Sequence, residues 1–251
     1  MSDSPALEVT GLTRGYGGKL AVDGLSFEVQ RGEVLGLLGP NGAGKTTTLR
    51  SIAGVLPMQE GQVHIAGHDL VSDPVGAKRS TAWVPDDPRP FDALTVNEHM
   101  LFSARMYRIE DGVGRARELL ERFELSSQRD TLGSALSRGM RQKLALAQAW
   151  LTRPRVMLLD EPLTGLDPRG IRSARAAIAA AAAEGCAVVL SSHQLDSVAA
   201  LADRLLILQR GKEVFAGTMD EARALQGEGD LGKWFLAATD EGSEAAECTQ
   251  D

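Results

Sequence analysis

Val34-Leu35-Gly36-Leu37-Leu38-Gly39-Pro40-Asn41-Gly42-Ala43-Gly44-Lys45-Thr46 is the stretch that decides the fold. Its first five residues form a nearly continuous apolar run, the mark of a strand buried on both faces. The next eight fit the pattern G-x-x-x-x-G-K followed by Ser or Thr, and from Lys45 to Leu56 the composition is helical. Strand, glycine-rich loop and helix in that order make a phosphate-binding loop. Glycines let backbone N–H groups turn inward around phosphate oxygens, and the helix N-terminus adds a favourable dipole. Gly39, Asn41, Gly42, Gly44 and Thr47 belong to this cradle, Lys45 reaches the β/γ-phosphates, and Thr46 offers its hydroxyl to Mg²⁺. The bland alternative, a glycine turn with a chance Lys-Thr, leaves the flanking strand and helix unexplained.

Working outward, Leu7, Val9 and Leu12, then Leu25, Phe27 and Val29, form two alternating segments around the turn-rich Gly15-Tyr16-Gly17-Gly18, which predicts antiparallel β-structure. Val63, Ile65 and Ala66 return to a short strand before Gly67. Between about Thr95 and Arg153 strand signals vanish and helical periodicity takes over, with Val113, Ala116, Leu119, Leu120 and Phe123 on one face of an amphipathic helix. This predicts an inserted helical subdomain over about 90–153. Val156-Met157-Leu158-Leu159 and Ala187-Val188-Val189-Leu190 are two further buried-strand runs, divided by an Ala-rich helical stretch over 169–184. Strand, helix, strand at these lengths implies parallel βαβ units and an α/β core. Leu205-Leu206-Ile207-Leu208, a turn at Arg210-Gly211 and Val214-Phe215-Ala216 complete the sheet, and Thr218 with Glu221 reads as a capping box that starts a last helix.

Asp160-Glu161 closes the run that begins at Val156. Such a pair is ordinarily a solvated strand end or a helix cap. With a phosphate loop in the same chain, carboxylates at the C-terminal edge of a parallel sheet come to lie beside that loop. Asp160 is then expected to hold Mg²⁺ through water, and Glu161 to polarise an attacking water.

Three further motifs stand in order: Leu136-Ser137-Arg138-Gly139-Met140 before the Asp160 strand, Leu163-Thr164-Gly165-Leu166-Asp167 after it, and Ser191-Ser192-His193 at the end of the next strand. Together with the loop and Asp160-Glu161 they strongly resemble the nucleotide-binding subunit of ATP-binding cassette (ABC) transporters, over roughly residues 5–220. The resemblance implies a P-loop NTPase cassette: an α/β, RecA-like parallel-sheet core with an N-terminal antiparallel β-subdomain and the helical insert. It implies ATP and Mg²⁺ as ligands and ATP hydrolysis coupled to transport. Tyr16 matches the family's aromatic that stacks on adenine, against the alternative of a turn tyrosine. Ser137 and Gly139 match the signature that caps ATP held by a partner subunit, so a head-to-tail dimer follows, homo- or heteromeric. Asp167 belongs to the loop linking the two sites, and His193 is the switch histidine beside the γ-phosphate. The other histidines, His64, His68 and His99, are expected at the surface.

The family's usual signature is Leu-Ser-Gly-Gly-Gln. Arg138 and Met140, followed by Arg141-Gln142-Lys143, resemble instead the exporter branch that pairs with separate permease subunits. After Thr81-Ala82-Trp83-Val84-Pro85 the family usually places a Gln that touches Mg²⁺; here Asp86-Asp87 stands there, so Asp86 keeps an oxygen for the metal but adds charge near phosphate. The insert, from Leu94-Thr95-Val96-Asn97-Glu98, matches the region that receives the membrane subunit, with Phe91, Leu94, Met100, Leu101 and Phe102 lining a groove. For Leu101 and Phe102 a place in the insert's own core is the alternative, and Trp83 is read as packing.

A 251-residue chain with 43% apolar and 24% charged residues excludes disorder as the main state. Its net charge of −7 makes no broad basic face, so no nucleic-acid partner is expected. Seven acids between Glu228 and Asp251 oppose Lys233 alone. Residues 221–251 are therefore expected to be a C-terminal helix and an acidic, partly disordered tail, with Trp234-Phe235-Leu236 as a docking element. Cys186 and Cys248 match no metal or disulfide spacing, and Met1-Ser2-Asp3-Ser4-Pro5 is unlike a signal peptide. The longest apolar stretch, Ala176 to Ala183, is far short of the about 20 residues needed to cross a bilayer. The cytoplasmic face of the cell membrane, held peripherally by permease subunits, is the expected location. A soluble ABC ATPase working on DNA, ribosomes or cluster assembly is the competing reading, as is a cassette that binds ATP without turnover.

Overall fold

The computed structural model describes residues 4–225. Strands β1 (Leu7–Tyr16) and β2 (Lys19–Val29) pair antiparallel across Gly17-Gly18. Strand β3 (Val34–Leu38) is buried at every position, and the phosphate loop carries it into α1 (Lys45–Ile52). This helix is shorter than its composition predicts: the N–H groups of Val55 and Leu56 both turn back onto the Arg50 carbonyl and close it. Next come β4 (Glu60–Ile65), β5 (His68–Asp69), α2 (Pro74–Arg79) and β6 (Thr81–Val84). Helices α3 (Val96–Met106), α4 (Gly112–Arg122) and α5 (Arg138–Leu151) follow, packed on one another. The chain then runs through β7 (Val156–Asp160), α6 (Pro168–Ala183), β8 (Ala187–Ser192), α7 (Leu195–Ala199), β9 (Arg204–Gln209), β10 (Lys212–Thr218) and α8 (Met219–Leu225). The capping box at Thr218 and Glu221 is formed on both sides.

Two sheets result. One is antiparallel, ordered β2-β1-β4-β5; the other is ordered β10-β9-β3-β8-β7-β6 and is parallel except for β10. Alternate side chains of the larger sheet enter two separate hydrophobic clusters. Val188 and Leu190 of β8 join the helices α3 to α7, whereas Ala187 and Val189 join α1 and the antiparallel sheet. Burial on both faces is why the strand runs are almost wholly apolar. The parallel strands place all their C-terminal ends on one edge, where the phosphate loop, Asp160 and Ser192 are found.

Three surface and groove expectations are corrected. His99 is buried, 1% exposed: one ring nitrogen, Nε2, accepts the Phe91 N–H at 2.9 Å and the other, Nδ1, donates to the Thr95 carbonyl at 2.7 Å. Both nitrogens are satisfied, which removes the usual penalty for a buried polar ring. Met100, expected in a surface groove, is fully buried in the core, while Phe102 of the same helix is exposed. Val113 is exposed because the buried stripe of α4 begins at Gly112 and continues through Ala116, Leu119 and Leu120 to Phe123; at 3.6 residues per turn Val113 falls on its rim. Phe123 meets Trp150 edge-on at 6.2 Å between ring centroids.

Gly36 lies where α7 packs directly on β3. A Cβ there would meet Val198, Leu205 at 3.0 Å and Ala202 at 3.3 Å. Gly36→Val is expected to destabilise the fold by about 1–3 kcal/mol through overpacking. Urea unfolding checks this, and a midpoint equal to wild type would show that α7 is free to move away.

Among the described residues no helix is long and apolar enough to cross a membrane. The acidic segment 228–251, Trp234-Phe235-Leu236 and Cys248 lie outside the described residues.

Candidate active site

The loop after β3 is fixed from behind. Gly44 has φ +109°, and a Cβ there would run into the Ala21 carbonyl, so only glycine lets the loop pass this close to β2. The Gly211 N–H donates to the Ala43 carbonyl at 2.9 Å, tying the loop to the turn between β9 and β10. Asn41 and Gly42 face solvent, and Thr47 is half-buried. Lys45 is 6% exposed and folds back so that its Nζ donates to the carbonyls of Gly39 at 2.6 Å and Pro40 at 3.2 Å. Burial lowers the Lys45 pKa, an effect partly offset by the charges of Glu161 and Asp160.

A chain of hydrogen bonds crosses from this loop to the ends of β7 and β8. Thr46 Oγ1 donates to Asp160 Oδ1 at 3.2 Å, and Ser191 Oγ donates to the same oxygen at 2.7 Å. The Glu161 N–H donates to Ser191 Oγ at 3.1 Å. Glu161 sits at φ +48°, a left-handed conformation uncommon outside glycine. Its Oε1 is 2.9 Å from His193 Nδ1, and its Oε2 accepts from Thr164 Oγ1 at 3.3 Å. Burial raises the Asp160 pKa; the Ser191 and Thr46 hydroxyls oppose that rise, while Asp86 and Glu161 add to it by repulsion. A hydroxyl and a carboxylate within hydrogen-bond distance are hard oxygen donors of the kind Mg²⁺ takes together with substrate phosphates, so Thr46 and Asp160 fit that ion.

Lys45, Thr46, Asp160, Glu161 and His193 are thus brought together, with Asp86 close enough to act on Asp160. Among the described residues Ser137 and Gly139 of the signature make no hydrogen bond to them; the signature reaches the cluster through Arg138, whose Nη2 donates to Asp86 Oδ1 at 3.2 Å. Ser137 caps α5 by accepting the Met140 N–H at 3.3 Å, and Gly139 lies near the Gly165 carbonyl. Asp167 caps α6 by accepting the Gly170 N–H at 2.7 Å. Tyr16 is half exposed at the end of β1, with the Arg14 guanidinium 5.0 Å from its ring centroid. Ser191 was not among the expected site residues, although it links Asp160 to Glu161. Its signal is a hydroxyl ending the apolar run of β8, in register with Asp160 on β7.

A buried lysine in a glycine loop beside a strand-end Asp-Glu pair defines a nucleoside-triphosphate-binding protein of the P-loop class. A family model described as ABC transporter matches residues 22–164. The chain is 36% identical over 229 residues to the daunorubicin resistance ATP-binding protein DrrA3 of Streptomyces coeruleorubidus, covering 90% of this chain and 72% of that one. To the Nod factor export ATP-binding protein I of Burkholderia pseudomallei it is 37% identical over 204 residues, 80% of this chain and 67% of that one. A solved structure described as the ATP-binding subunit of an ABC transporter superimposes with a TM-score of 0.87 at 31% identity, covering 93% of this chain and 99% of that one. The chain belongs to the ABC transporter family, as an ATP-binding and ATP-hydrolysing subunit.

Proposed function

We propose that this ATPase powers export through a separate membrane permease, from the cytoplasmic face of the cell membrane, as a cassette of residues 5–220 whose helical part spans about 90–153. The observation that carries its hydrolytic part is the hydrogen-bond chain Thr46–Asp160–Ser191–Glu161–His193, which holds a metal-side acid and a base on adjacent residues. Lys45 and the N–H groups of the loop, from Gly39 through Gly42 and Gly44 to Thr47, bind the phosphates, and Asn41 lies on the same loop. Tyr16 stacks on adenine. Thr46 and Asp160 would hold Mg²⁺, with Asp86 as a further oxygen donor; the bound ion would supply charge neutralisation on the phosphate oxygens. Glu161 accepts the proton of the attacking water. His193 donates Nδ1–H to Glu161, which fixes the direction of that carboxylate.

Ser137 and Gly139 stand apart from this cluster within one chain, which supports a head-to-tail dimer in which they face the ATP of a second cassette. Asp167, beside the signature on the α6 cap, then lies between the two sites. Phe91 and Phe102, edge-on at 5.8 Å, are exposed on the helical part together with Met106 and Tyr107, and they offer the permease an apolar face. Export is favoured by the Arg138 form of the signature and by the resistance and export proteins among the relatives.

Purification of the tagged chain from its native membranes in mild detergent is expected to bring a multi-span membrane protein with it. Recovery with ribosomes or nucleic acid alone would overturn the transport reading.

A further inference from the structure

Asp86 and Arg138 depart together from the usual pattern of the family, and the structure brings them into contact. Arg138 Nη2 lies 3.2 Å from Asp86 Oδ1, and Arg141 Nη2 lies 3.7 Å from Asp87 Oδ1. Both arginines are on the first turn of α5, and both acids follow β6. Val84, the last residue of β6, pairs with Leu159 of β7, so Asp86 leaves the same sheet edge as Asp160 and Glu161. On its other side Arg138 runs close to Gly165: a Cβ there would come within 3.1 Å of its Cδ and 3.2 Å of its Nε. The half-exposed side chain thus lies between the loop after β6 and the loop after β7.

Three carboxylates, Asp86, Asp160 and Glu161, therefore stand at an edge that a triphosphate must approach. Lys45 is the cation of the loop itself, and it already contacts two loop carbonyls. An uncompensated acid at position 86 would repel the incoming phosphates. We infer that Arg138 is a positioning residue of ATP turnover, which acts by neutralising and tethering Asp86 so that an acidic side chain can stand beside the phosphate site. This rests on the reading of Asp160 and Glu161 as the hydrolytic edge.

The test is a double-mutant cycle on the full-length ATPase, with Arg138→Ala, Asp86→Gln and their combination, measured as steady-state hydrolysis of Mg·ATP. Arg138→Ala is expected to raise KM by up to about fivefold, the range of a half-exposed ion pair, with a smaller change in kcat. In the Asp86→Gln background the same arginine change is expected to shift KM by less than about 1.5-fold, because no charge is left to neutralise. The Arg138→Ala penalty also shrinks as ionic strength rises towards about 1 M, whereas a loss of packing would not be screened. Arg138→Lys retains most of the wild-type KM. A wild-type KM in Arg138→Ala, or a penalty that persists undiminished in the Asp86→Gln background at low salt, overturns the inference; the second result would place Arg138 directly on nucleotide. A failure of the hydrolytic edge itself reads out elsewhere, as undiminished turnover after substitution of Glu161.

Discussion

Glu161→Gln is expected to lower ATP turnover by about 10²–10⁴-fold, the share that a positioned general base contributes, and to leave ATP affinity near wild type. Glutamine has the same shape and can keep both side-chain contacts, to His193 Nδ1 at 2.9 Å and to Thr164 Oγ1 at 3.3 Å. The backbone is held independently by the Glu161 N–H bond to Ser191 Oγ. What disappears is the ability to take a proton. With cleavage blocked, the nucleotide-closed state accumulates, and the variant is expected to elute as a dimer when Mg·ATP is present. Turnover at the wild-type rate would remove Glu161 from its role.

Lys45→Ala is expected to act one step earlier, on binding. A charge-assisted hydrogen bond is worth about 1.5–3 kcal/mol, so ATP affinity should fall by roughly 10- to 100-fold, with turnover lost at ordinary nucleotide concentrations. The fold is expected to survive: burial of the ammonium is unfavourable in itself, as its lowered pKa indicates, and of the two carbonyls it contacts the part-buried one of Pro40 can turn to water, so that the buried Gly39 carbonyl is the local cost. Equilibrium titration of ATP separates this from the Glu161 variant, which binds but does not cleave. Affinity within about twofold of wild type would show that backbone N–H groups alone hold the phosphates.

The strands and the phosphate loop were legible because their signals are local. A buried parallel strand needs an apolar run, and the turn beneath a phosphate needs glycine, so residues 34–46, Val156 to Glu161 and Ala187 to His193 each announce themselves. What escaped depends on contacts between distant segments. His99 reads as a surface histidine until Phe91 folds over it and supplies the N–H that its ring accepts. Val113 satisfies helical spacing, yet Gly112 packs against Ala104 and so sets which side of α4 is buried. The departure at Asp86 and the departure at Arg138 are each visible in the chain; that they meet is a property of how α5 lies over the loop after β6.

Asp160 Oδ1 accepts two hydrogen bonds, one from Thr46 and one from Ser191. A carboxylate oxygen has two lone pairs to offer, so this atom is fully used by the scaffold. The carboxylate is thereby made unsymmetrical: Oδ1 is its structural atom, and Oδ2 is left as the electron-pair donor for a cation. The same bond turns the Thr46 hydroxyl so that its proton points inward, which leaves the lone pairs of Oγ1 as the other available donor. One shared oxygen thus sets the direction from which a metal can be gripped before any metal arrives.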